Sequence, residues 1–297
     1  MQRLLVWWWL ALPAVAVTEI ALQRRIESNV PRTADWAAAA SIVRQGHRDS
    51  DLVVVAPEWA SQVARVHLGE RLQPLEAVAR ADTSRFGRLW VVSIRGARSP
   101  EETRARLEKT WQRGLVTVRL LRLGEPAQVA FDFVLNLHRA SVRVESRSRE
   151  RPCPWAPAPR GIGGGRFRCG PGWNHVGVEI LDDLDRRPHL AIWAHPVRDG
   201  RLVVEFADVP MGEILSGHMG LRYEAAKRLE NGPVRLTVEI DGGAARSFTE
   251  RDADSWRAFT VPTGELAGRR ARVRFSVAAR EPGMRHFYFA ADTRSGP

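Results

Sequence analysis

The second half of the chain contains the stretch VRLTVEIDGG, residues Val234–Gly243. Its apolar side chains occupy every second position and alternate with polar ones, as in a β-strand that buries one face and exposes the other. The stretch ends in an aspartate and two glycines, which are typical of the tight turn of a β-hairpin. This segment therefore predicts an antiparallel sheet with one face in a hydrophobic core.

Similar patterns surround this stretch from Val176 to the C-terminus. Turn sequences such as Asn231-Gly232-Pro233 and Pro262-Thr263-Gly264 separate them. We predict strands at residues 189–195, 201–206, 234–240, 256–261, 271–277 and 285–290. Short strands divided by turns indicate an antiparallel β-sandwich or jelly roll over residues 173–297.

The first half of the chain alternates apolar runs with helix signals. Runs that are apolar at nearly every position predict buried strands, here Asp51–Pro57, Leu89–Ile94, Val116–Leu121 and, less regularly, 129–134 and 140–144. Polar residues at the start, or a glycine at the end, predict helices, here from Asp35, over Trp59–Leu68 and from Ser99 to Arg113. We expect a small α/β, Rossmann-like layer domain with a partly parallel sheet over residues 32–146. The 297 residues thus form an α+β chain of two domains.

A segment rich in proline, glycine and arginine, residues 147–172, joins the two predicted domains. Over residues 139–170 eight arginines face two glutamates, a net charge of +6. Two interpretations remain open: a solvated linker, or an arginine patch for anionic headgroups, lipid-linked phosphates or nucleic acid.

Cys153 and Cys169 are the two cysteines of the chain, and both lie in this joint. In an oxidising compartment they could pair and close a loop worth about 3 kcal/mol. The alternative is two unrelated buried thiols. No Cys-x-x-Cys occurs, so neither redox chemistry nor a zinc site is indicated.

The formal net charge of +11 raises the question of nucleic-acid binding. Of the 45 basic residues only Lys109 and Lys227 are lysines, and this arginine bias is typical of GC-rich coding. The arginines are also dispersed outside the joint, and an exported chain does not meet nucleic acid. We therefore expect no nucleic-acid partner.

The N-terminus is apolar, and residues 1–25 resemble a signal anchor or a signal peptide. Residues 4–22 are long enough to span a bilayer, with Glu19 near one end. Ala14-Val15-Ala16 would suit cleavage, and a buried helix of a soluble domain is the third interpretation. We predict a single-pass anchor in a bacterial inner membrane, with the bulk of the chain extracytoplasmic, in the periplasm.

No specific catalytic pattern occurs in the sequence. Gly-x-Ser-x-Gly, a phosphate-binding loop and His-Glu-x-x-His are absent, so no catalytic residue is predicted. Asp182, Asp183 and Asp185 form an acidic cluster that could hold a structural calcium ion or simply form a solvated turn. No other cofactor is indicated, and a metal site remains unassigned.

Four residues of the second half could line a sugar site: Trp193, His195, His218 and Arg222. Trp193 and His195 share one face of a predicted strand, so an aromatic plate would lie beside polar donors. The alternative is that Trp193 belongs to the core of the sandwich. Trp256 and Phe259 are interpreted as core residues.

The first half resembles the soluble extracytoplasmic tail of bacterial GT-C-fold glycosyltransferases of the dolichyl-phosphate-mannose–protein mannosyltransferase class. The resemblance covers residues 4–125 and rests on Arg24-Arg25, Asp35-Trp36, the run Asp51–Trp59 and His67-Leu68-Gly69. The multi-helix membrane domain that holds that family's catalytic residues has no counterpart here, so the resemblance assigns none.

The second half resembles galactose-binding-like jelly-roll domains. The similar segments are Gly217–Leu221, Pro233–Gly242, Trp256–Phe259 and Phe287-Tyr288-Phe289. The resemblance implies a glycan ligand and a structural calcium ion, although many such domains are purely structural.

These patterns predict a membrane-anchored, non-catalytic accessory or carbohydrate-binding protein in envelope glycan or glycolipid handling. Its expected partners are a glycan or lipid-linked saccharide, the inner membrane and a membrane glycosyltransferase. The alternative is an enzyme of glycosyl transfer or hydrolysis with a site between the domains, marked by two carboxylates about 5–10 Å apart.

Overall fold

The computed structural model describes residues 2–158, 162–226, 232–251 and 254–296, without the side chains of residues 2–10, 225 and 226. The chain divides into two compact units. Unit 1 comprises Met1–Pro74 and Gly87–Gly124, and unit 2 comprises Leu75–Phe86 and Glu125–Pro297.

Unit 1 is a four-stranded sheet on which two of its three helices pack. Its helices are α1 Gln2–Ser28, α2 Thr33–Gly46 and α3 Ser61–Leu68, and its strands are β1 Asp51–Ala56, β2 Arg88–Ile94, β3 Arg106–Arg113 and β4 Val116–Arg122. The strand order is β1-β2-β4-β3, with β1 parallel to β2 and the other pairs antiparallel. The small side chains of α2 and α3, among them Ala40 and Ala64, lie in one core with Trp36 and Trp90, whereas the described side chains of α1 are exposed. The partly parallel α/β layer is as predicted.

The helix predicted from Ser99 to Arg113 is wrong. A short 3-10 turn covers Pro100–Arg104, and the chain then forms strand β3, which pairs with β4. The spacing of Leu107 and Trp111 resembles one face of a helix. Gly114, however, adopts a left-handed φ of 52° that closes a hairpin, and Trp111 stacks on Trp90 at 5.6 Å between ring centroids.

Helix α1 contains Pro13 and, in its second half, the charged residues Glu19, Arg24, Arg25 and Glu27. Within the part of the chain that the structure describes, no helix is long and apolar enough to cross a membrane. The anchor or signal peptide over residues 1–25 remains a prediction.

Unit 2 is a sandwich of two mainly antiparallel sheets. Its strands are β5 Gln128–Asp132, β6 Ser141–Ser146, β7 Glu150–Pro152, β8 Trp155–Pro157, β9 Gly165–Arg168, β10 His175–Asp182, β11 Pro188–Ala194, β12 Gly200–Pro210, β13 Ile214–Leu221, β14 Val234–Ile240, β15 Arg246–Glu250, β16 Arg257–Pro262, β17 Arg270–Ala279 and β18 Phe287–Ser295. Two short helices, α4 Leu75–Val78 and α5 Tyr223–Ala226, complete it. The predicted β-sandwich is confirmed.

The two sheets differ in size and share one core. The eight-stranded sheet has the order β16-β13-β18-β11-β10-β9-β8, with β5 also paired to β18, and the six-stranded sheet has the order β15-β14-β17-β12-β6-β7. Phe275 of β17 packs on Phe289 of β18 across the interior, with ring centroids 5.0 Å apart. Phe133 and Phe206 extend this aromatic core. Each sheet therefore has an inner face on the core and an outer face.

The boundary between the units differs from the predicted one. Strands β5 and β6, which we assigned to the α/β domain over residues 32–146, pair with β18 and β12 of the sandwich. Unit 1 accordingly ends at Gly124. A sequence pattern marks a strand but does not show which sheet receives it, and this caused the difference.

The predicted joint, residues 147–172, contains three strands of the sandwich. Strands β7 and β8 lie at the edges of the two sheets. Proline has no N–H to donate, and an edge strand tolerates it because its outer side makes no hydrogen bonds to another strand. Cys153 and Cys169 form a disulfide, with the Cα atoms 4.6 Å apart, so the predicted bridge is confirmed. Arg160 and Gly161 of the predicted joint lie outside the described residues.

Residues 75–86, here called the strap, lie in the sequence between two parts of unit 1 but belong to unit 2. The Leu190 amide donates to the Ala79 carbonyl at 2.6 Å. Arg85 pairs with Asp132 at 2.6 Å and with Asp292 at 2.7 Å. Arg294 pairs with Asp82 of the strap at 3.3 Å. These bonds hold the strap against the outer face of the eight-stranded sheet.

Candidate functional site

Trp193 and His195 lie together on β11 and just after it, and both side chains are buried. The Trp193 indole donates to the Trp173 carbonyl at 3.0 Å. The ring nitrogens of His195 lie 2.7 Å from the Pro196 carbonyl and 3.1 Å from the Gly283 carbonyl. Burial lowers the pKa of His195, so the ring is neutral at pH 7. The structure therefore leaves no exposed ring face at Trp193, the residue that we predicted as the aromatic plate.

His218 belongs to a different group of rings. It stacks on Trp256 with ring centroids 5.6 Å apart, and the indole also stacks with His189 at 4.3 Å and with Tyr288 at 5.2 Å. All three planes lie within 14–16° of the indole plane. We call these four residues the Trp256 stack.

Neighbouring strands of the eight-stranded sheet position the stack. His218 lies on β13, Tyr288 on β18 and His189 on β11, which follow one another in the sheet. Tyr288 alternates with the core residues Phe287 and Phe289, so its ring points to the outer face. Trp256 immediately precedes β16, the strand beside β13, and its indole reaches back over the three rings.

Two backbone features hold the indole in place. The Trp256 indole N–H donates to the Ala81 carbonyl of the strap at 2.8 Å. Gly220 of β13 lets the rings approach, because a Cβ atom there would lie 3.3 Å from Trp256 Cε3 and 3.2 Å from Tyr288 Oη. Arg222 follows two residues later, exposed and paired with Glu224 at 3.2 Å. Of the predicted site residues, His218 is therefore on the Trp256 stack, and Arg222 lies near it in the chain.

Four buried polar atoms around the Trp256 stack have no hydrogen-bond partner among the described residues. They are Tyr288 Oη, His218 Nδ1, Ser255 Oγ and Glu250 Oε1. Tyr288 and Glu250 are fully buried, and the second oxygen of Glu250 lies 3.4 Å from Arg257 Nε. A buried unpaired polar atom costs about 1–3 kcal/mol. A ligand that supplied partners would recover part of that cost.

The polar groups of the site are uncharged at neutral pH. Burial lowers the pKa of His218, although the nearby Asp82 opposes this shift. Burial raises the pKa of Glu250 to about 9 even beside Arg257. Burial and the neighbouring Asp183 and Glu250 carboxyl groups raise the pKa of Tyr288 far above its ordinary value. The site thus offers neutral donors and acceptors next to aromatic rings.

The acidic cluster forms a turn. The Asp183 carboxylate accepts hydrogen bonds from the amides of Asp185 at 2.8 Å and Arg187 at 3.0 Å, and it lies 3.0 Å from His189 Nε2. Within the described part of the chain, no group of three or more histidine, cysteine or acidic residues could hold a metal ion. Of the two interpretations of Asp182, Asp183 and Asp185, a calcium ion or a turn, these hydrogen bonds of Asp183 favour the turn.

Five residues of the site were not predicted for it: His189, Glu250, Ser255, Trp256 and Tyr288. We interpreted Trp256 as a core residue at the start of a strand; it packs against the core, but it is partly exposed and lies just before β16. Phe259, two residues into the strand, is buried as predicted. A tryptophan placed directly between a polar loop and a strand is the signal that could have marked it.

No protein-family model matches the chain. No curated protein matches it either. Solved structures of carbohydrate-binding modules do match. The CBM51 module of a Clostridium perfringens GH95 protein, in complex with methyl-galactose, matches at a TM-score of 0.29 and 10% identity, over 40% of this chain and 79% of that one.

Two further modules match at a similar level. TmCBM61 in complex with β-1,4-galactotriose has a TM-score of 0.26 and 12% identity, over 56% of this chain and 96% of its own. A family 35 carbohydrate-binding module from Clostridium thermocellum has a TM-score of 0.24 and 11% identity, over 48% of this chain and 87% of its own. These scores are too low to establish a shared ligand or function. None of the comparisons supports the resemblance of residues 4–125 to glycosyltransferase tails.

Proposed function

We propose that this protein binds a saccharide, without transforming it, at the Trp256 stack. The carrying observation is a partly exposed indole bordered by four buried polar atoms that have no partner in the described part of the chain. A sugar ring has an apolar C–H face that packs on an aromatic ring and hydroxyl groups that need hydrogen bonds at its edge. At this site the indole would supply the packing surface, and the buried polar atoms beside it would supply the hydrogen bonds once a ligand reached them.

The protonation states support a neutral polyhydroxylated ligand. A sugar hydroxyl both donates and accepts, and so do the hydroxyls of Tyr288 and Ser255 and the protonated carboxyl group of Glu250. His218 Nδ1 adds an acceptor or a donor according to its tautomer. Arg222, at the end of β13, would contact the outer part of a longer saccharide.

We further propose that the saccharide belongs to the bacterial cell envelope and that the chain acts in the periplasm. The disulfide supports an oxidising compartment, since such bonds are rare where thiols are kept reduced. Attachment through residues 4–22 and cooperation with a membrane glycosyltransferase complete this proposal. Both rest on sequence patterns alone.

The proposal is tested on a glycan array with the full chain and three variants. Trp256→Ala should lose binding, because the packing surface is removed, and His218→Ala should weaken it. Trp59→Ala, which removes an exposed tryptophan of unit 1, is the matched control and should bind as the wild type. Circular dichroism shows whether each variant is folded.

An array without signal, or a folded Trp256→Ala variant that binds like the wild type, would contradict the proposal. Product analysis of the same saccharides tests the enzyme alternative, because a non-catalytic protein leaves them intact.

A further inference from the structure

Helix α3 of unit 1 and the turn before it carry an exposed apolar face. Trp59 is 65% exposed, Val63 51% and Val66 81%. The spacing of four and then three residues places all three side chains on one side of a helix. This face is independent of the saccharide site, which lies in unit 2.

The opposite side of the same segment already supplies the core contact of α3. Ala60, Ala64 and Leu68 follow one another at intervals of four residues and are buried in the core of unit 1. A helix that needs only one apolar face for folding usually presents polar residues on the other. The exposed face of Trp59, Val63 and Val66 therefore has no role in the packing of unit 1.

Exposed apolar side chains are concentrated in unit 1. Of the 16 large exposed hydrophobic residues among the described side chains, 12 lie in this unit, although it is the smaller of the two. Seven of them come from α1 and Val30, which follows it. An exposed apolar face such as that of Trp59, Val63 and Val66 is typical of a site that meets another apolar phase.

The net positive charge of unit 1 favours an anionic partner. Unit 1 has 17 basic and 10 acidic residues, a net charge of +7 out of the +11 of the chain. The Arg95 guanidinium lies 5.9 Å from the centre of the Trp59 ring. A second copy of unit 1 would bring like charges together, whereas a surface of anionic phosphates would attract them.

We propose that the face of Trp59, Val63 and Val66 lies on an anionic lipid surface. Tryptophan is enriched at the level of the lipid headgroups. In this arrangement Trp59 occupies that level, the two valines enter the outer acyl region, and Arg95 pairs with a headgroup phosphate. Helix α3 lies in the plane of the surface and does not cross it.

The test places a reporter on α3, because α1 could bring the whole chain to vesicles by itself. Both native cysteines are in the disulfide, so Val66→Cys provides the single free thiol for an environment-sensitive dye. Phosphatidylcholine–phosphatidylglycerol vesicles should shift the dye emission to shorter wavelength. Vesicles of phosphatidylcholine alone should shift it less. A dye at Glu265→Cys, an exposed position of unit 2, should not respond.

Trp59→Ser combined with Val66→Cys should reduce the shift while leaving the circular dichroism spectrum unchanged. The proposal is overturned if the chain co-sediments with vesicles and the dye at position 66 does not shift, because α1 alone would then make the contact. It is also overturned if the shift appears without vesicles together with a doubled molar mass, because a second copy would then cover the face.

Discussion

The imidazole of His218 lies parallel to the indole of Trp256, with ring centroids 5.6 Å apart and planes inclined by 15°. Because burial lowers the pKa of His218, the imidazole is neutral at pH 7 and packs as an aromatic ring. Its Nδ1 atom is nevertheless buried without a hydrogen-bond partner among the described residues. Packing and hydrogen bonding at this site can therefore be changed separately.

Tyr288→Phe should separate stability from ligand binding. The change removes only the buried hydroxyl, which has no partner among the described residues, and retains the stacked ring. The free energy of unfolding should stay the same or rise by about 1 kcal/mol, while saccharide affinity should fall. Urea unfolding and calorimetric titration measure the two quantities. A clear loss of stability would show that the hydroxyl is already paired in the free protein.

The stability of the protein should decrease with rising pH because of Glu250. Its pKa is raised from 4.5 to about 9 in the folded state, so between these values only the folded chain holds the proton. The contribution of Glu250 to the free energy of unfolding is fully present below pH 4.5. It decreases by up to about 1.4 kcal/mol per pH unit as the pH rises, and it levels off above pH 9. Glu250→Gln should flatten this slope in thermal unfolding measured from pH 5 to pH 9.

Glu265→Gln is the control for this experiment, because Glu265 is exposed in a turn. Its unfolding curve should follow the wild type at every pH. If Glu250→Gln and the wild type show the same pH dependence, the carboxyl group of Glu250 is ionised in the folded protein.

Arg294→Ala should destabilise unit 2 by about 3 kcal/mol, because it leaves the buried Asp292 and the strap residue Asp82 with fewer partners. Arg270→Ala breaks an ion pair with Asp208 whose side chains are 59% and 60% exposed. It should change the free energy of unfolding by no more than about 0.5 kcal/mol. Equal effects of the two variants in urea unfolding would argue against the strap as a structural element.

Removal of the disulfide should lower the stability by about 3 kcal/mol, the value for a loop of this size. The bond joins residues 16 positions apart: Cys153 lies between the edge strands β7 and β8, and Cys169 directly follows β9. Cys153→Ala with Cys169→Ala should unfold at a lower urea concentration. A reductant should shift the wild type to the same midpoint and leave the variant unchanged. If the reductant does not change the urea concentration at the midpoint of wild-type unfolding, the two cysteines are free thiols.

The spacing of apolar residues predicted those strands whose burial pattern is visible within a short stretch of sequence. The alternation at Val234–Ile240 marks a strand because one side chain in two meets the core, and the apolar run at Asp51–Ala56 marks a strand buried on both faces. The hairpin of β3 was missed because a polar start at Ser99 and a glycine at position 114 are typical of a helix, whereas here they bound a 3-10 turn and a strand. Gly114 and the Trp90–Trp111 stack decide between a helix and a strand.

The candidate site depends on contacts between distant parts of the chain, which a single sequence does not show. From the sequence we interpreted Trp193 as the candidate aromatic plate and Trp256 as a core residue. The carbonyl of Trp173 engages the first inside the protein, whereas Trp256 lies at the start of a strand with part of its indole exposed. His218, which we predicted for a site around Trp193, stacks on Trp256 instead, and its role in binding stays a prediction.

The position of the strap in the sequence determines which coding segment can yield the complete sandwich. Its 12 residues are encoded between two parts of unit 1, yet they supply the carbonyl that accepts the hydrogen bond of Trp256. Many small binding domains pass between genes as one uninterrupted segment of coding sequence. A segment encoding residues 125–297 alone would produce a sandwich in which the Trp256 indole lacks this hydrogen-bond acceptor, so the complete sandwich requires residues 75–86 as well.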